Sequence, residues 1–427
     1  MIARGIAVGL AALVIACGAE TTVAVVPTAV PTPLPSPVVP VIERPTEAPL
    51  REQSPAEAAS TPTPIPIGGW AAAAALNQAR AGHSAVLLLD GRVLVAGGNG
   101  SEATLDSVEI YDHENDSWSM AAPMNTPRVN ARAVALGDGR VLVTGGENNI
   151  EGDLASAEIY DPALDQWQPL PSMATRRSRH TATLMADGRV LVSGGFDGES
   201  YPDLLTDSAE IFDPETNSWE VIAPLPPDII NGGTRAWHGA VPFGDNGVLV
   251  VGGIGFGSGG LPDLNTTFAF DVAEGKWIER SPLFSARRGH TTTLMDDGRI
   301  VAVGGQGPQP LAEIYDPEED IWLGGGANLQ RRQNHEAVAL PDQRVLITGG
   351  WGGPNIGQLA SAEILDLDSA TWEAAAPMEN VRSGHSMTVL PDGRVLVVGG
   401  TPGGGQFGPD GSGGIHRSVE IFDPEQR

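Results

Sequence analysis

The feature that most constrains this chain is a short cassette that keeps returning. From Arg382 to Gly400 it reads RSGHSMTVLPDGRVLVVGG, with apolar runs on either side of Asp392-Gly393. An Asp-Gly pair between two such runs is a strong signal for a tight hairpin. The second run, Val395-Leu396-Val397-Val398, is apolar at every position, as expected of a strand buried on both faces. It stops at Gly399-Gly400, and glycine alone tolerates positive φ or a close backbone approach at little cost. The same wording returns as GHSAVLLLDGRVLVAGG ending at Gly98, RHTATLMADGRVLVSGG ending at Gly195 and GHTTTLMDDGRIVAVGG ending at Gly305.

The period defines the fold class. Gly-Gly pairs end at Gly98, Gly146, Gly195, Gly253, Gly305, Gly350 and Gly400. After most of them come a loop and a second cassette: SVEIYD from Ser107, SAEIYDP from Ser156, SAEIFDP from Ser208, AEIYDP from Ala312 and SAEILD from Ser361. A tryptophan follows at Trp118, Trp167, Trp219, Trp277, Trp322 and Trp372. One unit is therefore four short strands, and units of about fifty residues repeated four to eight times mark a β-propeller. The expected fold is all-β, with seven blades of four antiparallel strands.

Closure follows from spacing. Trp118 to Arg128, Trp167 to Arg177, Trp277 to Arg287, Trp322 to Arg332 and Trp372 to Arg382 are each ten residues apart, and so are Trp70 and Arg80. The chain ends at SVEIFDPEQR, around the third strand of its last unit. The strand at Trp70 is thus expected to pair with Ser418–Phe422 and complete the seventh blade, removing the open edges of the array.

These residues resemble the kelch repeat: a Gly-Gly pair closing the second strand, an aromatic in the third and a Trp in the fourth at fixed spacing. The resemblance covers nearly everything after Gly68. It implies a kelch-type propeller of the galactose oxidase/kelch superfamily, and such propellers commonly serve as binding heads.

The first residues have another character. Arg4 is a minimal positive region, and Ile6 to Ala16 is an apolar stretch too short to span a bilayer. Leu13-Val14-Ile15-Ala16-Cys17 resembles the bacterial lipobox, and Cys17 is the single cysteine of the chain. Residues 1–16 are expected to be a signal peptide. Residues 17–67 are expected to be a lipidated Cys17 with a Pro-rich tether, since stretches such as PTAVPTPLPSPVVP favour extended PPII over a packed core. Residues 68–427 would be the propeller. The expected location is extracytoplasmic, held to a membrane by lipid alone at the cell surface or in the periplasm, or else secreted. With one cysteine there is no intrachain disulfide.

Charge excludes some partners. The 53 acidic against 25 basic residues give a net charge of −28, which argues against nucleic acid and against polybasic membrane binding. Within that acidic chain, arginines cluster in the segments that lead into each first strand: Arg80, Arg128, Arg177, Arg235, Arg287, Arg332 and Arg382, with a histidine three residues later at His83, His180, His238, His290, His335 and His385. Antiparallel strands put these segments on one face with the loops between second and third strands, at the mouth of the central channel. They could focus an anionic ligand. They could equally pair with the repeated Glu109, Glu158, Glu210, Glu313, Glu363 and Glu420, and residues present in every blade usually pack.

The fourth unit departs from the repeat. It inserts PPDIINGG before Arg235 and carries Phe268 where other units have Glu. Arg235 is thereby expected to be available to a carboxylate, with Trp237 and His238 beside it to stack a sugar ring. Candidate ligand-binding residues are Arg235, Trp237, His238, Arg177, Arg287, Arg332, Arg382 and Trp351, with further loop aromatics at Phe196, Tyr201, Phe256 and Phe407 near His416. No His pair has metal-ligand spacing, so no metal and no cofactor are expected.

The reading is a monomeric, membrane-tethered binding protein for a protein or glycan, without chemistry of its own. The alternative is a sugar-processing enzyme resembling the kelch sialic-acid mutarotases and acting on an acidic sugar. A radical copper oxidase resembling galactose oxidase is disfavoured, because that class cross-links a Cys to a Tyr and Cys17 lies in the lipobox.

Overall fold

The computed structural model describes residues 67–198, 204–227, 233–256, 260–307, 311–403 and 414–426. The expected signal peptide, lipid site and tether lie outside the described residues, except for the last tether residue, Ile67, which bridges to Ala375 of blade 6. The described residues form no helix; they build seven four-stranded antiparallel sheets and one two-residue hairpin, Glu147–Asn148 with Gly152–Asp153. The fold is an all-β seven-bladed propeller.

Blades 1 to 6 run from the channel outward in chain order. The inner strands are Ser84–Leu87, Arg132–Ala135, Thr181–Leu184, Gly239–Phe243, Thr291–Leu294, Glu336–Ala339 and Ser386–Val389, for blades 1 to 7. Each touches the two beside it, the last meeting the first, so they close a circle. Second strands such as Val93–Ala96 and Val395–Val398 are buried at every residue. Outer strands such as Ser117–Ala121 are exposed at most positions. The unbroken apolar runs of the second strands match their complete burial.

Blade 7 uses both ends of the described chain. Gly69–Ala73 forms its outer strand against Val419–Asp423, with Trp70 opposite Phe422 and Gly69 opposite Asp423. Their rings sit 5.0 Å apart, and Trp70 Nε1 donates to Ala376 O of blade 6 at 2.6 Å. The core lies between blades: Leu396, Val398 and Val419 of blade 7 pack with Val93, Val95 and Tyr111 of blade 1.

Two repeated contacts bind each blade to the next. In the Gly-Gly pair both residues have positive φ, as at Gly97 (66°) and Gly98 (97°). A Cβ on Gly97 would collide with the carbonyl of Arg128 in blade 2, and one on Gly399 with that of Arg80 in blade 1. The second glycine donates its N–H to that same carbonyl, Gly98 to Arg128 O and Gly400 to Arg80 O, each at 2.9 Å. Farther out, each tryptophan reaches back: Trp118 Nε1 donates to Ala74 O at 2.8 Å and Trp167 Nε1 to Ala122 O at 2.9 Å. Most of these indoles stack on the aromatic of their own third strand, as Trp118 does on Tyr111 at 4.9 Å.

Deleting residues 68–79 removes the outer strand of blade 7, the Trp70 bond and the N–H donors of Asn77 and Gln78 to Glu109. Calorimetry of that deletion should show loss of the single cooperative melting transition. An unchanged transition would refute closure by this strand.

Candidate functional site

The repeated arginines are part of the scaffold. Arg128 sends Nη1 to Gly145 O at 2.7 Å and Nη2 to Glu158 Oε1 at 2.7 Å. Glu158 also accepts the N–H groups of Asn125 (2.7 Å) and Thr126 (3.1 Å) from the segment joining blades 1 and 2. The same arrangement joins Arg80 to Glu109, Arg177 to Glu210, Arg287 to Glu313, Arg332 to Glu363 and Arg382 to Glu420. These arginines are 0–1% exposed. Burial lowers their pKa, and the adjacent glutamate opposes that shift. A buried guanidinium needs such pairing and hydrogen bonding to be tolerated. The expectation that Arg177, Arg287, Arg332 and Arg382 present a basic ring to a ligand therefore does not match their placement.

Arg235 differs as the sequence suggested, with another outcome. Phe268 replaces the glutamate, and the guanidinium lies 5.3 Å from its ring centroid. Nη1 donates to Gly252 O at 2.7 Å and Nη2 to Thr266 Oγ1 at 2.6 Å. Arg235 is 1% exposed, so the missing carboxylate leaves it inside the blade and engaged there.

The histidines tie inner strands together. His180 Nε2 meets Thr144 Oγ1 of blade 2 at 2.8 Å, His238 meets Thr181 of blade 3 at 2.9 Å, and His83 meets Ser386 of blade 7 at 2.8 Å. Burial and the neighbouring arginines hold His83 and His290 down at about 3 and His180, His238, His335 and His385 well below the ordinary value. They are neutral, and all but His290 hydrogen-bond through Nε2 to a hydroxyl.

Immediately before each of these six histidines, and before Ala131 that takes their place in blade 2, the backbone turns left-handed. The seven residues are Gly82, Asn130, Arg179, Trp237, Gly289, Asn334 and Gly384, with φ between 51° and 65°. Their peptide groups join head to tail around the channel: Gly82 N–H donates to Gly384 O, Asn130 to Gly82 O, Arg179 to Asn130 O, Trp237 to Arg179 O, Gly289 to Trp237 O and Asn334 to Gly289 O, at 2.8–3.4 Å. Glycine and asparagine adopt this conformation readily, whereas other L-residues lose roughly 1–2 kcal/mol there. Arginine and tryptophan at two adjacent members of the ring are the outliers, and held strain of this kind clusters at functional sites.

Arg179 and Trp237 build one cluster. The Arg179 guanidinium lies 5.6 Å from the Phe196 ring centroid and 5.8 Å from that of Trp237. The two rings meet edge to face at 4.9 Å. Arg179 Nη2 pairs with Glu147 Oε1 at 2.8 Å, with side chains 26% and 31% exposed, and Asn130 Nδ2 donates to the same oxygen at 2.8 Å. Beneath, Leu205, Ala236 and Ile254 form a small core against which Phe196, Trp237 and Phe256 pack. The result is a partly exposed cation set against a packed pair of aromatic rings at the channel mouth, suited to stacking and to anion contact.

Of the residues expected from sequence, Trp237 lies in this cluster and His238 is buried beside it. Trp351 is half-buried on the blade 6 loop, bridged to Gln333 and Gln358. His416 meets Val381 O at 3.0 Å. Tyr201 and Phe407 lie outside the described residues. Arg179 and Asn130 went unselected, although they fill a position that is glycine in three blades.

A model of the family described as KLHDC2/KLHL20/DRC7 Kelch-repeats domain matches residues 82–305. No curated protein matches the chain. Among solved structures, one titled "Novel fungal alcohol oxidase with catalytic diversity among the AA5 family, in complex with copper" superposes with a TM-score of 0.67 at 17% identity. It covers 84% of this chain and 76% of that one, and the likeness is one of fold. Among the described residues no three His, Cys, Asp or Glu side chains converge on a possible metal position, and five of the repeated histidines turn Nε2 to a hydroxyl. This donor set does not fit copper.

Two outcomes follow from the buried charges. Glu158→Ala orphans a buried guanidinium and two N–H groups, and urea denaturation should show a loss of about 3–5 kcal/mol. The six depressed histidines bind protons only after unfolding, so the unfolded chain holds more protons below about pH 6.5 and stability must fall with pH there. Melting temperature should drop between pH 7 and pH 5, and His180→Gln should flatten that dependence by about one proton.

Proposed function

This chain belongs to the kelch-repeat family described as KLHDC2/KLHL20/DRC7, and we propose that it is a protein-binding head whose contact surface is the channel-mouth face. Kelch propellers generally mediate protein interactions. One observation carries the choice of face: Arg179 and Trp237 are held at left-handed positions, half-exposed and stacked together, where three blades place glycine. Aromatic and arginine anchors of this kind dominate protein interfaces. An enzyme for acidic sugars would need the arginine ring, and those guanidinium groups are turned inward to their own glutamates. That favours recognition over turnover.

We infer in the same way that the head is displayed outside the cytoplasm from a lipidated Cys17, on the strength of the Leu13–Cys17 sequence and the Pro-rich stretch that follows it. Lipid on one residue, carried as several acyl chains, anchors far better than a single chain.

Arg179→Gly combined with Trp237→Gly removes the cluster and relieves backbone strain, so melting should move by only a few degrees. Affinity capture of surface-exposed partners should then lose the proteins recovered with the unaltered chain. Recovery in equal yield would overturn the assignment of the face. Separately, cells fed labelled palmitate should incorporate label into the unaltered chain and none into Cys17→Ser. Equal labelling, or none in either, would remove the anchor.

A further inference from the structure

In four blades the first residue of the inner strand is a Ser or Thr that directs its hydroxyl toward the next blade. Ser84 Oγ donates to Ala131 O at 2.9 Å, and Thr291 and Ser386 meet the next blade's histidine. Blades 2 and 6 instead place Arg132 and Glu336 at this position, across the circle of inner strands from each other.

Arg132 donates Nε to His180 O at 2.8 Å, and its two terminal nitrogens have no hydrogen-bond partner among the described residues. Its side chain is exposed and that of Glu336 half-buried. An exposed side chain on a strand flanked on both sides by other inner strands faces the channel. Among the described residues no ion pair joins the two and no protein donor reaches the Glu336 carboxylate. Each nevertheless feels the other. Crowding by the surrounding strands pushes Glu336 up to about 7 while Arg132 opposes the shift. The same burial lowers Arg132, with Glu336 opposing and Arg179 adding to the shift. The solvent that reaches both is confined to the channel, which reconciles exposure with desolvation. Opposite charges that share a narrow space without touching leave between them a gap that a bipolar molecule fills.

We propose that the channel below the mouth binds a small zwitterion of the amino-acid class, its carboxylate on Arg132 and its ammonium on Glu336. Arg132 offers its two terminal nitrogens as a planar fork matched to a carboxylate, and the unpartnered carboxylate of Glu336 accepts from an ammonium. This site is separate from the protein-binding face, and the two proposals stand or fall independently.

The test uses the full chain and four probes that differ in the separation of their charges: glycine, β-alanine, 4-aminobutyrate and 6-aminohexanoate. Saturation-transfer NMR and thermal shift at millimolar concentration should select one or two of these lengths. Arg132→Gln and Glu336→Gln should each weaken that binding at least tenfold, with circular dichroism unchanged. Acetate and methylammonium, which carry one charge each, should bind at least tenfold more weakly than the selected probe. Binding unaffected by both substitutions would overturn the proposal, as would the absence of any shift with all four probes. Equal binding of acetate would reduce the site to an arginine anion contact and overturn it as well.

Discussion

Everything in this ring depends on how closely one blade's arginine carbonyl approaches the previous blade's Gly-Gly pair. The contact leaves no room for a Cβ at the first glycine, and it gives the second glycine's N–H its acceptor. It also fixes where the arginine backbone sits, so its side chain can run back through its own blade to a glutamate. That glutamate in turn holds the N–H groups of the joining segment. Glycine, arginine and glutamate are thus one device, repeated around the circle and buried throughout. Burial makes each member obligatory, because removing one strands a charge or a peptide group in a dry place.

Much of this was legible from the residues. The all-apolar second strands, the Asp-Gly turns and the Trp-to-Arg spacing of ten predict the strands and the shared seventh blade, and the pairing of Gly69–Ala73 with Val419–Asp423 bears that out. The alternation of glutamate and arginine foreshadowed their pairing. Arg235 shows where such reasoning stops. Losing the glutamate suggested an available cation, yet an aromatic ring and Thr266 occupy its surroundings and keep it buried. A missing partner in a repeat predicts a changed environment, and only packing tells which one.

The mouth was hidden for a different reason. In sequence, Trp237 stands out only as a neighbour of Arg235, and nothing in residue type links it to Gly82, Asn130 or Arg179. Their common left-handed backbone arises only when the ring closes and each peptide group must face the next. Arg132 and Glu336 are likewise remote in sequence, and curvature alone brings them to one space. The repeated residues build the scaffold. The variable residue at an invariant backbone geometry carries what distinguishes this propeller from any other.

The shared seventh blade has a mechanical consequence. Gly69 lies opposite Asp423 in an antiparallel pair, so both ends of the described chain leave from the same end of that ladder. A pull on the N-terminal side meets first the two bonds that tie Ile67 to Ala374 and Ala376 of blade 6, then Gly69, then Trp70 and the rest in turn, as in unzipping. The indole of Trp70, bonded to blade 6 and lying against Phe422, stands near the start of that path. It acts as the latch of the ring, and the force at which it yields sets the load the whole propeller withstands.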